Sequence, residues 1–343
     1  MIDWRKSYSA VWRVFRVNEL TWSDAELIGG IDSVQITRSC SGDAPMLESG
    51  TMTLTGGFER GYYRIVAHVT QDVTTERVDV ATLLCESTKT TRNYGTAQRN
   101  VTCNSVLYPA YTQRMLDGSF IPKGADAAKY VAELLRGCIK APVEVEGGFA
   151  ITEFFWFDFG VRIIEAAWQA LELGGYVMQV DGRGVVHIRK KPTAPALDLN
   201  GSNITLLQPS VVNEFNTTNV PNRYIANSDG TIAIAVNDSQ ESDVSTVNRG
   251  YIYDYIDEAP ATVDNETLPE YAIRRLHELS TATAETCSYT REYWPDVYPF
   301  DVVAGSLDSI GIDGNMRVMN QTLKCDKGIT VSEQAAREVD LWQ

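Results

Sequence analysis

Long apolar runs are absent from this sequence. No stretch approaches the ~18 uninterrupted apolar residues that a membrane helix requires, so the chain is not expected to insert into a bilayer. The start, Met1-Ile2-Asp3-Trp4-Arg5-Lys6, has no apolar run behind its charges, and a signal peptide is not expected. The Asn-x-Ser/Thr tripeptides at Asn100 and Asn216 then carry no implication of glycosylation. Close cysteine spacing is also missing: Cys40, Cys85, Cys103, Cys138, Cys287 and Cys325 never approach Cys-x-x-Cys. Scattered through a chain of this size, they read as buried thiols of a protein made in a reducing compartment.

The signatures of common catalysis are missing as well. There is no Gly-x-x-x-x-Gly-Lys-Ser/Thr loop, no His-Glu-x-x-His and no Gly-x-Ser-x-Gly. Asp181-Gly182-Arg183-Gly184 contains a Gly-x-Gly, but it falls in a predicted hairpin, where glycine serves turn geometry. The three histidines, His68, His187 and His277, lie far apart and read as structural or surface residues. A glycosidase needs only two carboxylates at the right separation. With 45 acidic residues, some pair meets any chosen spacing, so the count selects nothing. Asp238–Asp243 offers oxygen ligands but lacks the glycine and terminal glutamate of an EF-hand. No metal, cofactor or catalytic residue is expected.

What is present is an ordinary globular composition, 44% apolar and 22% charged over 343 residues, enough for two or three domains. The net charge of −15 is unevenly placed. Residues 1–115 carry 12 basic and 12 acidic side chains, residues 116–195 carry 9 and 10, and residues 196–343 carry 9 and 23. Nucleic-acid affinity comes largely from Lys and Arg neutralising phosphates, so the last segment is a poor candidate for gripping DNA or RNA.

Residues 1–115 alternate as strands, at Tyr8–Val17, Ile31–Ser39, Ser49–Leu54, Tyr62–Thr70, Glu76–Thr91 and Ala97–Leu107, with reversals at Gly56-Gly57 and Asn93–Gly95. Around residue 120 the period becomes helical: Ala127, Val131, Leu134, Leu135 and Cys138 form one stripe, and Val161, Ile164, Trp168 and Leu171 another. Gly174-Gly175 stops the second helix. Tyr176–Val180 and Val185–Ile188 follow as a hairpin through Asp181-Gly182, and Lys190–Pro195 reads as a linker. Residues 196–343 return to strands, with a hairpin at Asp229-Gly230 and a helix over Leu268–Ala282 that Thr267 and Glu270 cap. The final strands are Thr286–Tyr293, Val302–Ser306, Gly311–Gln321 and Gly328–Arg337, with a turn at Asp313-Gly314.

Two features of the last segment are candidates for function. The acidic run Asp238, Glu241, Asp243, Asp254, Asp257, Glu258, Asp264, Glu266 and Glu270 is broken by a single base, Arg249. It reads as a solvated face, an interaction surface or the lining of a channel. Tyr289–Asp301 is dense in aromatics and prolines, with Tyr293, Trp294 and Tyr298 at its centre. Such a stretch forms either a binding platform or a rigid connection whose rings plug the end of a barrel, and it also suits subunit contact.

Several phrases in order resemble the tail-tip or baseplate hub proteins of tailed bacteriophages. They are Val106–Ala110 followed by Ile121–Ala127, Tyr176–Ile188 leading into Lys191-Pro192, Val220–Ile225, and Pro299–Val303 before the last hairpin. The resemblance implies an α+β, predominantly β fold: a β-barrel tube domain at 1–115, an α+β domain at 116–195, and a second, acidic barrel domain at 196–343. It implies a homotrimer whose six barrels match the sixfold tail tube. The implied partners are a distal tail or tail tube protein, the tape measure protein, and fibre or spike proteins. DNA would pass through the ring without specific binding. Some relatives carry a peptidase or cell-wall hydrolase extension, and the chain ends at Gln343 without one. The resemblance therefore implies a non-enzymatic virion protein of the tail tip, synthesised in the host cytoplasm. The competing expectation is a carbohydrate-binding or carbohydrate-active protein using the acidic and aromatic residues of the last segment.

Overall fold

Alternation of β-branched and aromatic residues with polar ones favours extended backbone, because each strand can then bury one face. The computed structural model describes residues 2–341 except 5, 41–46, 56, 94–95, 117, 153, 200–210, 216, 229, 259, 261–265, 282, 308–311, 326–327 and 340. The first strands are β1 (Ser9–Val17), β2 (Asp24–Ile28), β3 (Ile31–Ser39), β4 (Leu47–Leu54), β5 (Gly61–Gln71), β6 (Thr74–Asn93) and β7 (Thr96–Ser105). There follow α1 (Tyr108–Thr112), β8 (Phe120–Ile121), α2 (Ala127–Arg136), β9 (Val143–Glu146), β10 (Phe155–Trp156), α3 (Ile163–Glu172), β11 (Tyr176–Val180) and β12 (Val186–Lys190). Next are β13 (Pro195–Asp198), β14 (Val212–Phe215), β15 (Arg223–Ser228), β16 (Thr231–Val236), α4 (Thr246–Arg249), β17 (Asp254–Asp257) and α5 (Leu268–Thr281). The chain closes with β18 (Thr283–Glu292), β19 (Val302–Leu307), β20 (Ile312–Cys325) and β21 (Ile329–Val339).

The protein is predominantly β, as its alternation predicts, and it divides into two compact units. One is Met1–Val211 with Ser288–Ala335; the other is Val212–Cys287 with Ala336–Gln343. In the first, the sheet order runs β18-β21-β20-β3-β4-β7-β6-β5-β1-β2. This is not the closed barrel expected from the sequence. At one end β2 pairs with β1, and β20 gives its first half to β19 and its second half to β3, so the sheet branches instead of closing. Val34 and Ile36 are buried while Ser33 and Gln35 are exposed, a period-2 pattern that packs against Val14, Met52, Ile65 and Leu323.

The two helical stripes form where their spacing puts them. Ala127, Val131 and Leu135 of α2 pack with Ile164, Ala167 and Leu171 of α3 over Met178, Val180 and Ile188 of the β11–β12 hairpin. Full burial of each branched side chain contributes about 1.5–3 kcal/mol. Asp126 starts α2 by accepting from the N–H groups of Ala128 and Lys129. The hairpin gains a third strand, β9, in parallel register on β12.

Some expectations shift. Asp313-Gly314 is no turn: it lies inside β20, with Asp313 opposite Ser306 and Gly314 opposite Gly305, because its neighbours find ladder partners in β19. The stretch read as a linker ends in β13, which runs parallel to β19. Residues 56, 94, 95 and 229, parts of three expected reversals, lie outside the described residues.

In the second unit, β16, β15 and β17 form a sheet in that order, antiparallel then parallel. Helix α5 covers one face, with Tyr271, Ala272 and Leu276 against Tyr224, Ala226, Ala233 and Ala235. Glu270 accepts from the Thr267 N–H at 2.8 Å, satisfying one of the orphan amides as the capping-box spacing predicts.

Candidate functional site

The six candidate carboxylates all belong to the second unit, and local pairing divides them into three sorts. Asp254 closes a bidentate contact with Arg223, opposite it in the β15–β17 register, with one N···O distance of 2.8 Å. Asp257 accepts from the hydroxyls of Tyr224 at 2.6 Å and Tyr271 at 2.7 Å, which ties the sheet to α5. Burial pushes the Tyr224 hydroxyl well above its ordinary pKa, and the bond to Asp257 adds to that shift. Asp238, Glu241, Asp243 and Glu258 are exposed. Ser242, between two of them, is buried and donates to the Leu341 carbonyl, so the loop is anchored while its acids face solvent.

The three candidate aromatics belong to the first unit and are not a surface platform. Tyr293 and Tyr298 are buried, and Trp294 is half-buried. Tyr293 meets the edge of Trp4 at 5.8 Å between ring centroids. Tyr298 lies under the Arg38 guanidinium, 4.8 Å from the ring centroid, and its oxygen accepts from the Gly182 N–H at 3.2 Å. Burial raises the Tyr298 pKa to about 12, although Arg38 pulls it the other way. The Tyr293 and Tyr298 rings therefore pack against the sheet and the hairpin turn. The nine candidates are therefore not one constellation: the acids gather on the second unit and the aromatics inside the first.

Exposed apolar surface is what sequence reasoning missed. On β16 the buried residues are Ala233 and Ala235, while Ile232, Ile234 and Val236 point outward, Ile234 with 57% of its surface exposed. Ile234, Ile225 and Ile256 sit in one cross-strand row on that outer face. In the first unit, Phe120 meets Trp156 at 4.5 Å and Phe154 at 5.8 Å on the short β8–β10 ladder, with Trp156 62% exposed. Contiguous apolar patches on a folded protein mark surfaces that other molecules cover. Alternation announces such strands, but not which of their faces the helix takes.

Groups suited to chemistry are committed elsewhere. His187 lies between Asp181, 3.2 Å from Nε2, and Glu146, 3.3 Å from Nδ1. The hydrogen bond that its Nε2 donates to the Asp181 carboxylate raises its pKa against the opposing effect of burial. An open cavity of about 610 Å³ lined by Arg16, Glu26, Phe58, Glu59, Tyr63 and Arg99 contains none of the nine candidates. Among the described residues, no group of three or more His, Cys, Asp or Glu is placed to hold a metal ion.

No protein-family profile matches the sequence, and no curated protein sequence matches it either. The fold, by contrast, has relatives among solved structures. A 43 kDa tail protein of prophage MuSo2 from Shewanella oneidensis aligns over 94% of this chain and 97% of its own, with a TM-score of 0.62 and 14% identity. A tail protein from Neisseria meningitidis MC58 aligns over 98% of both chains, with a TM-score of 0.62 and 12% identity. The E. coli c3393 protein, a type VI secretion component described as structurally similar to the T4 tail proteins gp27 and gp5, covers 92% of this chain and 76% of its own. Its TM-score is 0.50 at 9% identity. The chain therefore has the fold of phage tail proteins.

Proposed function

We propose that this chain is a structural hub of a phage tail tip or baseplate, working as a trimeric ring between the tail tube and the distal fibre or spike apparatus. The observation that carries the reading is the end-to-end fold likeness to two tail proteins, over 94% and 98% of the chain. Two further observations support assembly: the exposed aliphatic face of β16–β15–β17 and the exposed aromatics of β8–β10, surfaces of the kind that subunits and neighbours bury. The proposed neighbours are a tail tube or distal tail protein, the tape measure protein, and fibre or spike proteins. DNA passes the ring without being gripped, and the chain itself catalyses no reaction.

The experiment is light scattering of the purified chain together with imaging of assembled tails. Three copies at the level of this protein are expected. One, two or four copies there overturn the reading.

A further inference from the structure

Cys85 on β6 and Cys103 on β7 are direct cross-strand partners, and their sulfurs stand 2.8 Å apart. That is inside the distance at which two unbonded sulfurs ordinarily rest. Both residues are buried, 1% and 2% exposed, and both are free thiols. The register shows why they face one another. One row across the sheet reads Ile36, Gly50, Cys103, Cys85 and Gly61, on β3, β4, β7, β6 and β5. Glycine flanks the pair on both sides, so no neighbouring side chain in the row competes for the space of either sulfur. A Cβ on Gly50 would lie 3.8 Å from Cys103 Cβ and 2.9 Å from Leu83 Cδ1, which is crowding that its absence removes. Directly opposed residues of an antiparallel ladder have Cα atoms about 4.5–5.5 Å apart, within the span a disulfide bridges.

We propose that Cys85 and Cys103 form a covalent modification site: a cross-strand disulfide that a low-molecular-weight disulfide, such as glutathione disulfide, installs on the folded chain. The electrons balance within that exchange. The Cys85 thiol loses its proton, its sulfur attacks one sulfur of glutathione disulfide, and the first glutathione leaves as a thiolate that takes up a proton. The Cys103 sulfur, likewise deprotonated, then attacks the Cys85 sulfur, breaks the mixed disulfide and expels the second glutathione. Two protein thiols are oxidised, and one glutathione disulfide is reduced to two thiols. Burial raises the Cys85 pKa far above the ordinary thiol value and keeps it inert while the sheet is closed. Reaction therefore follows local opening of β6 from β7. The β6–β7 register shifts between Cys85 and Ser87, and such a bulge locally disrupts the ladder beside the pair. A dithiol is expected in a reducing compartment, and a bond after residence in an oxidising medium.

The test incubates the full chain with glutathione disulfide in sub-denaturing urea, alkylates the remaining thiols and maps peptides without reduction. The expected product is about 2 Da lighter before alkylation, carries its dominant linkage between Cys85 and Cys103, and unfolds at a higher urea midpoint than the reduced chain. Cys103→Ala should trap a glutathione adduct on Cys85 instead. Should that variant fail to fold, the peptide map of the natural chain decides alone. A dominant bond at any other pair, separate glutathione adducts on both residues, or both thiols free while the less buried Cys138 reacts would each overturn the proposal.

Discussion

Arg38 and Arg291 are buried almost completely, each 1% exposed, and each meets a glutamate on the neighbouring strand. Arg38 Nε donates to Glu48 at 2.6 Å, and Arg291 Nε donates to Glu333 at 2.7 Å. Gln321 adds a further donor to Glu333 at 2.6 Å. Desolvation makes such pairs weak sources of net stability, yet removing one partner strands a buried charge at a cost of about 3–5 kcal/mol. Arg38→Met should therefore lower the urea midpoint sharply, while Arg38→Met with Glu48→Leu should recover most of the loss. Equal destabilisation of the single and double variants would show that the pair itself holds the sheet. His187 gives the second residue-scale expectation. Its folded pKa lies above its unfolded value, about 6.5. The linked stability is then fully present below about pH 6.5 and is lost as pH rises through the folded value. Urea midpoints of the natural chain should fall across that window, and His187→Gln should flatten the fall. The facing groups are Asp181, Glu144 and Glu146, so an unchanged slope in the variant would assign the titration elsewhere.

At the scale of elements, the turn joining β11 to β12 does more than reverse the chain. Its carbonyls accept from Thr82 Oγ1 at 3.0 Å and from Trp22 Nε1 at 2.8 Å, through Gly182 and Arg183. Arg64 Nη2 reaches the same Arg183 carbonyl at 3.1 Å. Gly184 takes the left-handed backbone, φ +75°, that hairpin reversal needs. Gly182 answers a different demand: a Cβ there would stand 1.8 Å from the Asp79 carbonyl oxygen. Gly182→Ala should push the turn off β6 and cost about 1–3 kcal/mol by overpacking, measured by thermal or urea unfolding. A variant as stable as the natural chain would mean that the turn yields freely. Asp126→Ala should cost about 0.5–2 kcal/mol through the loss of the α2 cap.

At the scale of the whole molecule, three copies would bring −42 from residues 196–343, three times the −14 of 9 basic against 23 acidic side chains. A basic bore holds DNA through counterion release, whereas an acidic or neutral one repels phosphates within the ~10 Å Debye length at 0.1 M salt. In such a ring, at least part of the acidic excess of residues 196–343 is therefore expected to face the bore, with Asp238–Glu270 the first candidates. Mapping of the trimer's inner surface checks it, and a bore lined chiefly by Lys and Arg would contradict it. The aromatic stretch no longer argues for a sugar platform, since Tyr293 and Tyr298 are inside the protein. Incubation with peptidoglycan and with peptide and glycoside substrates should give no turnover. Activity lost on one carboxylate substitution with the fold intact would restore the enzymatic alternative.

Much of the backbone was legible in the sequence because it depends on neighbours. Ile31–Ser39 is a strand with the bounds that alternation assigns it, Tyr176–Val180 one with the bounds that the Asp181-Gly182 turn implies, and Leu268 opens α5 where Thr267 and Glu270 signal it. The uneven charge was equally open to reading. Long-range pairing was not. Short strands such as β2, β9, β13 and β17 carry too few residues to show a period, and the ladder that holds each is supplied by distant chain. The open, branched sheet, the placement of Asp313-Gly314 inside β20 and the row that sets Cys85 against Cys103 all follow from register. So does the candidate site: local pattern named acids and aromatics, while packing buried Tyr293 and Tyr298 and left Ile232, Ile234 and Ile256 outside. A residue's own neighbours bias its backbone, but distant ladder partners can override that bias, and only the fold as a whole decides which face of the backbone meets water.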